Sequence, residues 1–79
     1  APTIHRTLLA MREALRAGTP RAQVEAAADA ALRVAGFVPD YAVVRRPDFT
    51  APVDGEGGAR VALIAARLGR TRLIDNIEF

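Results

Sequence analysis

The spacing of the apolar residues changes once along this chain, at Gly36, and this change constrains the fold more than any other feature. Before Gly36 the apolar residues recur every three or four positions, as they do on one face of an α-helix. After Gly36 the spacing shortens toward alternation, which is typical of β-strands. Helices that come first and strands that come last predict an α+β domain of two layers, in which two N-terminal helices pack on a three-stranded antiparallel sheet.

The helices are predicted over about residues 3–17 and 20–35. Thr19 and Pro20 are typical of a helix start, with Thr19 as the capping residue and Pro20 in the first helical position. Gly36 is expected to end the second helix. The apolar residues of the first helix share one face: Ile4, Leu8, Met11 and Leu15. The second helix presents a face of small residues: Val24, Ala27, Ala28, Ala31 and Val34 or Ala35.

The strands are predicted over about residues 40–45, 60–67 and 71–77, with Gly69 in the turn between the last two. Residues 48–58 are rich in glycine and acidic side chains and are expected to form a flexible connection. The strand order stays open. The strands carry more apolar residues than one sheet face can hold, so we expect an apolar sheet face that is left over for a partner.

The composition predicts one small domain. The 79 residues suffice for one modest core and exclude a second. No apolar stretch approaches the ~20 residues of a membrane span, and the absence of cysteine fits a reducing cytoplasm. All eleven basic residues are arginine, for a net charge of +2. This set indicates either recognition of phosphate or carboxylate groups or a base-composition bias in the coding DNA.

The candidate binding residues lie around the last turn. Arg67 and Arg72 flank it and could direct guanidinium groups toward an anion, or could be solvated side chains that limit strand pairing at a sheet edge. Asp75 and Asn76 follow and could bind a ligand or only the local backbone. His5 is the only histidine and the chain has no serine, so no catalytic triad and no metal site are predicted.

Three ordered motifs resemble the pantothenate synthetase family. The N-terminal Ala-Pro-Thr-Ile-His-Arg-Thr-Leu of residues 1–8 is similar to the family's Ala-Pro-x-Leu-x-Arg-x-Leu, and Pro39-Asp40-Tyr41 corresponds to its Val-Asp-Tyr. Residues 65–77, Ala-Ala-Arg-Leu-Gly-Arg-Thr-Arg-Leu-Ile-Asp-Asn-Ile, resemble the family's closing segment, with Arg70 in place of threonine or serine.

The resemblance implies the C-terminal, lid-type domain of a larger ligase. The whole enzyme would be a cytoplasmic homodimer that uses ATP and Mg²⁺ to condense pantoate with β-alanine through a pantoyl-adenylate, with release of AMP. The family's His-x-Gly-His and Ser-Ser-Arg-Asn motifs do not occur in this sequence. Residues 1–79 are therefore expected to carry no catalytic residue, to bind no cofactor alone and to need an N-terminal nucleotide-binding domain. Arg67, Arg72, Asp75 and Asn76 would face substrate or ATP.

Two other classes of protein stay open from the residues themselves. A small arginine-rich domain can bind nucleic acid, although nine acidic residues and few aromatic ones argue against such a partner. An oligomerisation module would pair its leftover apolar sheet face with a second copy. Binding to nucleic acid should depend steeply on salt, whereas the ligase and the oligomerisation module should show no such binding.

Overall fold

Two helices precede three strands in the computed structural model, which describes residues 2–79. The elements are α1 (Pro2–Arg16), α2 (Arg21–Val34), β1 (Val38–Arg45), β2 (Val61–Leu68) and β3 (Thr71–Glu78). The predicted α+β fold is confirmed. Ala1, the first residue of the N-terminal motif, lies outside the described residues. Within residues 2–79, neither helix has the length and apolar character needed to cross a bilayer.

The three strands form one antiparallel sheet in the order β1-β2-β3, so that β2 lies in the centre. The tight turn after Leu68 joins β2 to β3, and Gly69 adopts a φ of 61° there, a conformation that glycine accepts without a steric penalty. The strand β1 begins at Val38, earlier than the predicted residue 40, because Val38 still pairs with Arg67.

Both helices pack on one face of the sheet, which we call the inner face. Alternate residues of β2 point toward the helices, and Ile64 is fully buried among them. The buried core is formed by Ile4, Leu8, Met11, Val24, Ala28, Leu32, Phe37, Ala42, Val44, Ala62, Ile64 and Ala66. The opposite face, which we call the outer face, has no helix over it within residues 2–79.

The inward face of α2 differs from the predicted one. Leu32 is completely buried, whereas Ala27 and Ala31 are exposed and Val34 keeps 90% of its surface accessible. Val24, Ala28 and Leu32 follow one another at four-residue intervals and therefore share a stripe along the helix. Val34 lies about 200° around the axis from Leu32, because each residue turns an α-helix by about 100°.

The N-terminus of α2 is also capped differently from the prediction. The helix begins at Arg21, after Pro20, and no side chain of the preceding residue accepts a hydrogen bond there. Instead the backbone N–H of Arg21 donates to Oδ1 of Asp54 at 2.8 Å, across 33 positions of sequence. The predicted Thr19 cap is therefore wrong, and a distant carboxylate satisfies one of the free amide groups of the first turn.

Candidate functional site

The two arginines that flank the last turn lie on the outer face. Arg67 of β2 is directly opposite Arg72 of β3, and residues opposite one another in an antiparallel pair point to the same side of the sheet. Half or more of each side chain is exposed, 56% for Arg67 and 50% for Arg72. The structure thus brings together two of the four predicted site residues.

Asp40 of β1 holds these two arginines. Its Oδ1 accepts a hydrogen bond from Nη2 of Arg67 at 2.8 Å, and its Oδ2 accepts one from Nε of Arg72 at 2.9 Å. The hydrogen bond from Arg67, then that from Arg72, lowers the pKa of the Asp40 carboxyl below its usual range. Each oxygen of this carboxylate therefore accepts a hydrogen bond from a guanidinium group of a different strand.

A β-bulge places Asp40 on this face. Pro39 pairs with Ala66 and Tyr41 pairs with Ala65, which leaves Asp40 as an extra residue without a partner in β2. Bulges of this kind redirect a side chain relative to strict alternation. Strict alternation would send Asp40 to the face opposite that of Tyr41, whereas its contacts with Arg67 and Arg72 are on the outer face.

Asp40 is not among the binding residues predicted from the sequence, where it only begins a strand and forms part of a family motif. Pro39 is the one local indication of a bulge, since a proline within a strand pattern is confined to sheet edges and bulges. The pairing that makes Asp40 the extra residue depends on β2, about 25 positions further along the chain. No local periodicity reports such a pairing.

The other two predicted site residues do not join this cluster. Asp75 lies opposite Ile64 and is therefore on the inner side of β3, the edge strand, where it is exposed. Its Oδ1 accepts a hydrogen bond from the backbone N–H of Asn76 at 2.8 Å. Asn76 lies opposite Leu63 on the outer face. It is four residues along β3 from Arg72, a separation of about 13 Å. The local-backbone interpretation of Asp75 therefore agrees with its contact.

Apolar side chains occupy the middle of the outer face. Ile74 is 59% exposed and Tyr41 is 39% exposed, and both flank the central Ala65. At the end of the face away from the turn, Phe49 and Leu63 help to line a groove of about 300 Å³. The outer face therefore combines an apolar centre with an arginine pair at one end, and this is the leftover surface that the strand pattern predicts.

A second ionic cluster fastens the long connection between β1 and β2. The guanidinium of Arg46 donates to both carboxylate oxygens of Glu56 at 2.9 and 2.7 Å, and the backbone N–H of Val53 also donates to Glu56 at 2.7 Å. These contacts, the one from Arg46 foremost, lower the pKa of Glu56 from 4.5 to about 2. The buried guanidinium of Arg60 also lies beside Glu56, at 3.4 Å.

The connection between β1 and β2 is also attached to α2. The segment 48–58, expected to be a flexible connection, is tied to α2 by Asp54 and by the hydrogen bond from Nε of Arg21 to the carbonyl of Pro52 at 3.2 Å. Pro52 itself is buried. The segment therefore has specific partners that its composition does not indicate.

Within residues 2–79, no group of three or more histidine, cysteine or acidic residues lies close enough to hold a metal ion. Mg²⁺ is usually held by one or two carboxylates together with waters and substrate phosphates, and does not require such a group. His5 is exposed on α1. The outer face presents two exposed guanidinium groups and exposed apolar side chains.

Comparison with known proteins identifies one family. The family profile described as pantoate-beta-alanine ligase matches residues 1–78. The pantothenate synthetase of Xanthomonas euvesicatoria pv. vesicatoria (strain 85-10) is 68% identical over 77 residues, which cover 98% of this chain and 28% of that protein. The pantothenate synthetase of Stenotrophomonas maltophilia (strain K279a) is 63% identical over 79 residues, all of this chain and 28% of that protein.

The fold is similar to that of solved structures with the same name. A crystal structure of pantothenate synthetase from Thermus thermophilus matches with a TM-score of 0.80 and 35% identity, over 98% of this chain and 28% of that one. The chain therefore spans little more than a quarter of the length of the relatives that it matches.

Proposed function

This chain belongs to the pantoate-beta-alanine ligase family, and we propose that it is the C-terminal lid domain of a pantothenate synthetase. The observation that carries the proposal is the match over nearly the whole chain to about 28% of each relative. The motif of residues 65–77, which resembles the family's closing segment, supports a position at the end of the parent enzyme. The activity therefore belongs to the parent, and residues 1–79 contribute one part of it.

The parent reaction, by this proposal, condenses pantoate with β-alanine at the expense of ATP, through a pantoyl-adenylate and with release of AMP. ATP would bring Mg²⁺ with its phosphates, because this ion is usually bound through substrate phosphates and one or two carboxylates. The catalytic groups would lie in the missing N-terminal nucleotide-binding domain. The family's His-x-Gly-His and Ser-Ser-Arg-Asn motifs, which do not occur in residues 1–79, would belong to that domain.

A lid would act on the reaction by excluding water. An acyl-adenylate is prone to hydrolysis, and closing a domain over the site protects it and strengthens the electrostatic interactions inside. The outer face suits this task, because Ile74 and Tyr41 are exposed in residues 2–79 and would be covered against a neighbouring domain.

The candidate contacts differ in what their positions allow. Arg67 and Arg72 project from the outer face and could meet the phosphates of ATP or the pantoate carboxylate. Asn76 shares their face and offers an amide donor and acceptor nearer the opposite end. Asp75 is the weakest candidate, since its carboxylate binds the next backbone amide at the sheet edge.

The parent would be a homodimer of the cytoplasm, as the family resemblance implies. The fragment without its neighbour would expose the apolar centre of the outer face and could self-associate through it, which keeps the oligomerisation alternative testable. Sedimentation of residues 1–79 over a range of concentrations measures this association. A nucleic-acid-binding function has no support from the relatives, whose names describe a synthetase.

The proposal is tested in the full-length parent with the variant Arg72→Ala. Loss of a charge-assisted hydrogen bond to a ligand costs about 1.5–3 kcal/mol, so kcat/KM for ATP or pantoate should fall by about tenfold or more. The matched control is Arg33→Ala, because Arg33 is also exposed and also pairs with an aspartate, Asp29, at 2.8 Å, but lies on α2. Equal values of kcat/KM in the two variants would contradict a ligand contact by Arg72.

A separate experiment tests the lid assignment itself. Residues 1–79 alone should show no ligase activity, and the remainder of the parent should have little of its own. Mixing the two parts should restore synthesis of pantothenate and lower the rate of ATP hydrolysis per product formed. Full activity of the remainder without residues 1–79 would contradict the lid.

A further inference from the structure

We propose that Asp40, Arg67 and Arg72 form a preset binding site for a phosphate-bearing anion, in which Asp40 positions the two guanidinium groups. The inference rests on the proposed function and deepens it, since it names the ligand class of the same hairpin. Residues 1–79, which were expected to bind no cofactor alone, would then hold one weak subsite for the phosphate part of such a ligand.

The end of the sheet beside the turn carries an excess of positive charge. Two guanidinium groups share one carboxylate, and Arg70, in the turn between them, makes no hydrogen bond or ion pair within residues 2–79. The three arginines and Asp40 therefore carry a net charge of +2 on an exposed surface. The acidic side chain of Glu78 lies opposite Val61, at the far end of the outer face. A dianion meets a local excess of positive charge here.

Several hydrogen-bond donors of Arg67 and Arg72 remain after their contacts with Asp40. Arg67 gives Nη2 to Asp40 and keeps Nε and Nη1 without a partner in the described residues. Arg72 gives Nε and keeps both terminal nitrogens. A guanidinium group offers five N–H donors in a rigid plane, and two such planes fit the several acceptor oxygens of a phosphoryl group. The donors for a ligand are thus present and unused within residues 2–79.

The Asp40 carboxylate holds two long side chains in one place. Exposed ion pairs contribute little to stability, so the fold gains little from holding two arginines in this way. Fixing two long side chains before a ligand arrives reduces the entropy that binding must offset. The bulge places Asp40 on the outer face, where its carboxylate aligns guanidinium groups from β2 and β3.

The test is a titration of the 79-residue chain with inorganic pyrophosphate at low ionic strength, followed by NMR of the arginine Nε–Hε groups and the backbone amides. We expect saturable shifts at Arg67, Arg72 and the turn between them. Arg67→Gln and Arg72→Gln should each weaken binding by about tenfold or more. Arg33→Gln removes the equally exposed arginine of the Arg33–Asp29 pair and should leave binding unchanged.

Asp40→Asn separates positioning from simple attraction. The variant raises the net positive charge of the cluster, so attraction alone predicts tighter binding. Loss of positioning predicts binding that is weaker by about threefold, the equivalent of one surface ion pair. Asp29→Asn is its control and should change nothing. Tighter binding in Asp40→Asn would overturn the positioning by Asp40, and the circular dichroism spectrum checks that the variant is folded.

Three results would overturn the site as a whole. One is a titration without saturation, and another is an equal loss in Arg33→Gln, which would indicate diffuse attraction. The third is stronger binding of a single-stranded oligonucleotide with a steep salt dependence, which would assign the patch to nucleic acid. Acetate should bind more weakly than pyrophosphate, since it carries a single negative charge and fewer acceptor oxygens. These results are independent of the kinetics of the parent enzyme, so failure here leaves the ligase assignment intact.

Discussion

Two isoleucines of neighbouring strands allow a direct measurement of which sheet face is the core. Ile64 of β2 is fully buried under the helices, whereas Ile74 of β3 is 59% exposed on the outer face. Replacing either by valine removes one methylene and keeps the β-branched shape that suits a strand. The pair therefore isolates burial from strand propensity.

The expected magnitudes follow from the two environments. A buried Ile→Val substitution typically costs about 0.5–1.5 kcal/mol, so Ile64→Val should destabilise the domain by about 1 kcal/mol. For a domain of this size, that amount lowers Tm by about 4–8 °C. Ile74→Val loses little buried surface, so its free energy of unfolding should stay within about 0.5 kcal/mol of that of the unsubstituted chain.

The assay is urea unfolding followed by circular dichroism, with thermal melts of the same samples. Both variants should keep the same denaturant slope, since neither changes the surface exposed on unfolding. Equal destabilisation by the two substitutions would refute the division into inner and outer faces. A larger effect of Ile74→Val would mean that the outer face is covered in solution, for example by a second copy of the chain, and dilution would then reduce its effect.

Three further predictions concern the cap of α2, the Glu56 carboxylate with its pH dependence, and the Asp40 carboxylate. Asp54→Ala should cost about 0.5–2 kcal/mol in urea unfolding, because it removes the cap of α2, whereas Thr19→Ala should cost less since Thr19 makes no cap. Glu56→Gln should lower the free energy of unfolding at pH 7, because it breaks the Arg46 contacts. The free energies of unfolding of Glu56→Gln and of the unsubstituted chain should differ fully above pH 4.5, and the difference should vanish as the pH falls through about 2, since the fold lowers the pKa of Glu56. A difference that is constant with pH would contradict this prediction. Asp40→Asn should shift the urea midpoint only slightly, as expected of an exposed ion pair, and a shift as large as that of Ile64→Val would show that the fold depends on this carboxylate.

The candidate site was predictable in part. The arginines around Gly69 stand out in the sequence because a tight turn between two apolar runs places its flanking residues side by side. Their common partner Asp40 does not stand out, because its position depends on a bulge that exists only when β1 pairs with β2. Asp75 and Asn76 are neighbours in sequence, yet the alternation of a strand sends them to different faces.

The sequence by itself determined the order of helices and strands and the family to which the chain belongs. Both are local properties: apolar spacing reports which side of an element avoids water, and a motif is a run of neighbouring residues. The tertiary structure decided which sheet face is the core, because the strands are apolar on both sides. It also decided that Leu32 rather than Val34 is buried, that Asp54 caps α2, and that Asp40 joins two arginines. These features join residues that are far apart in sequence, and only packing brings them together.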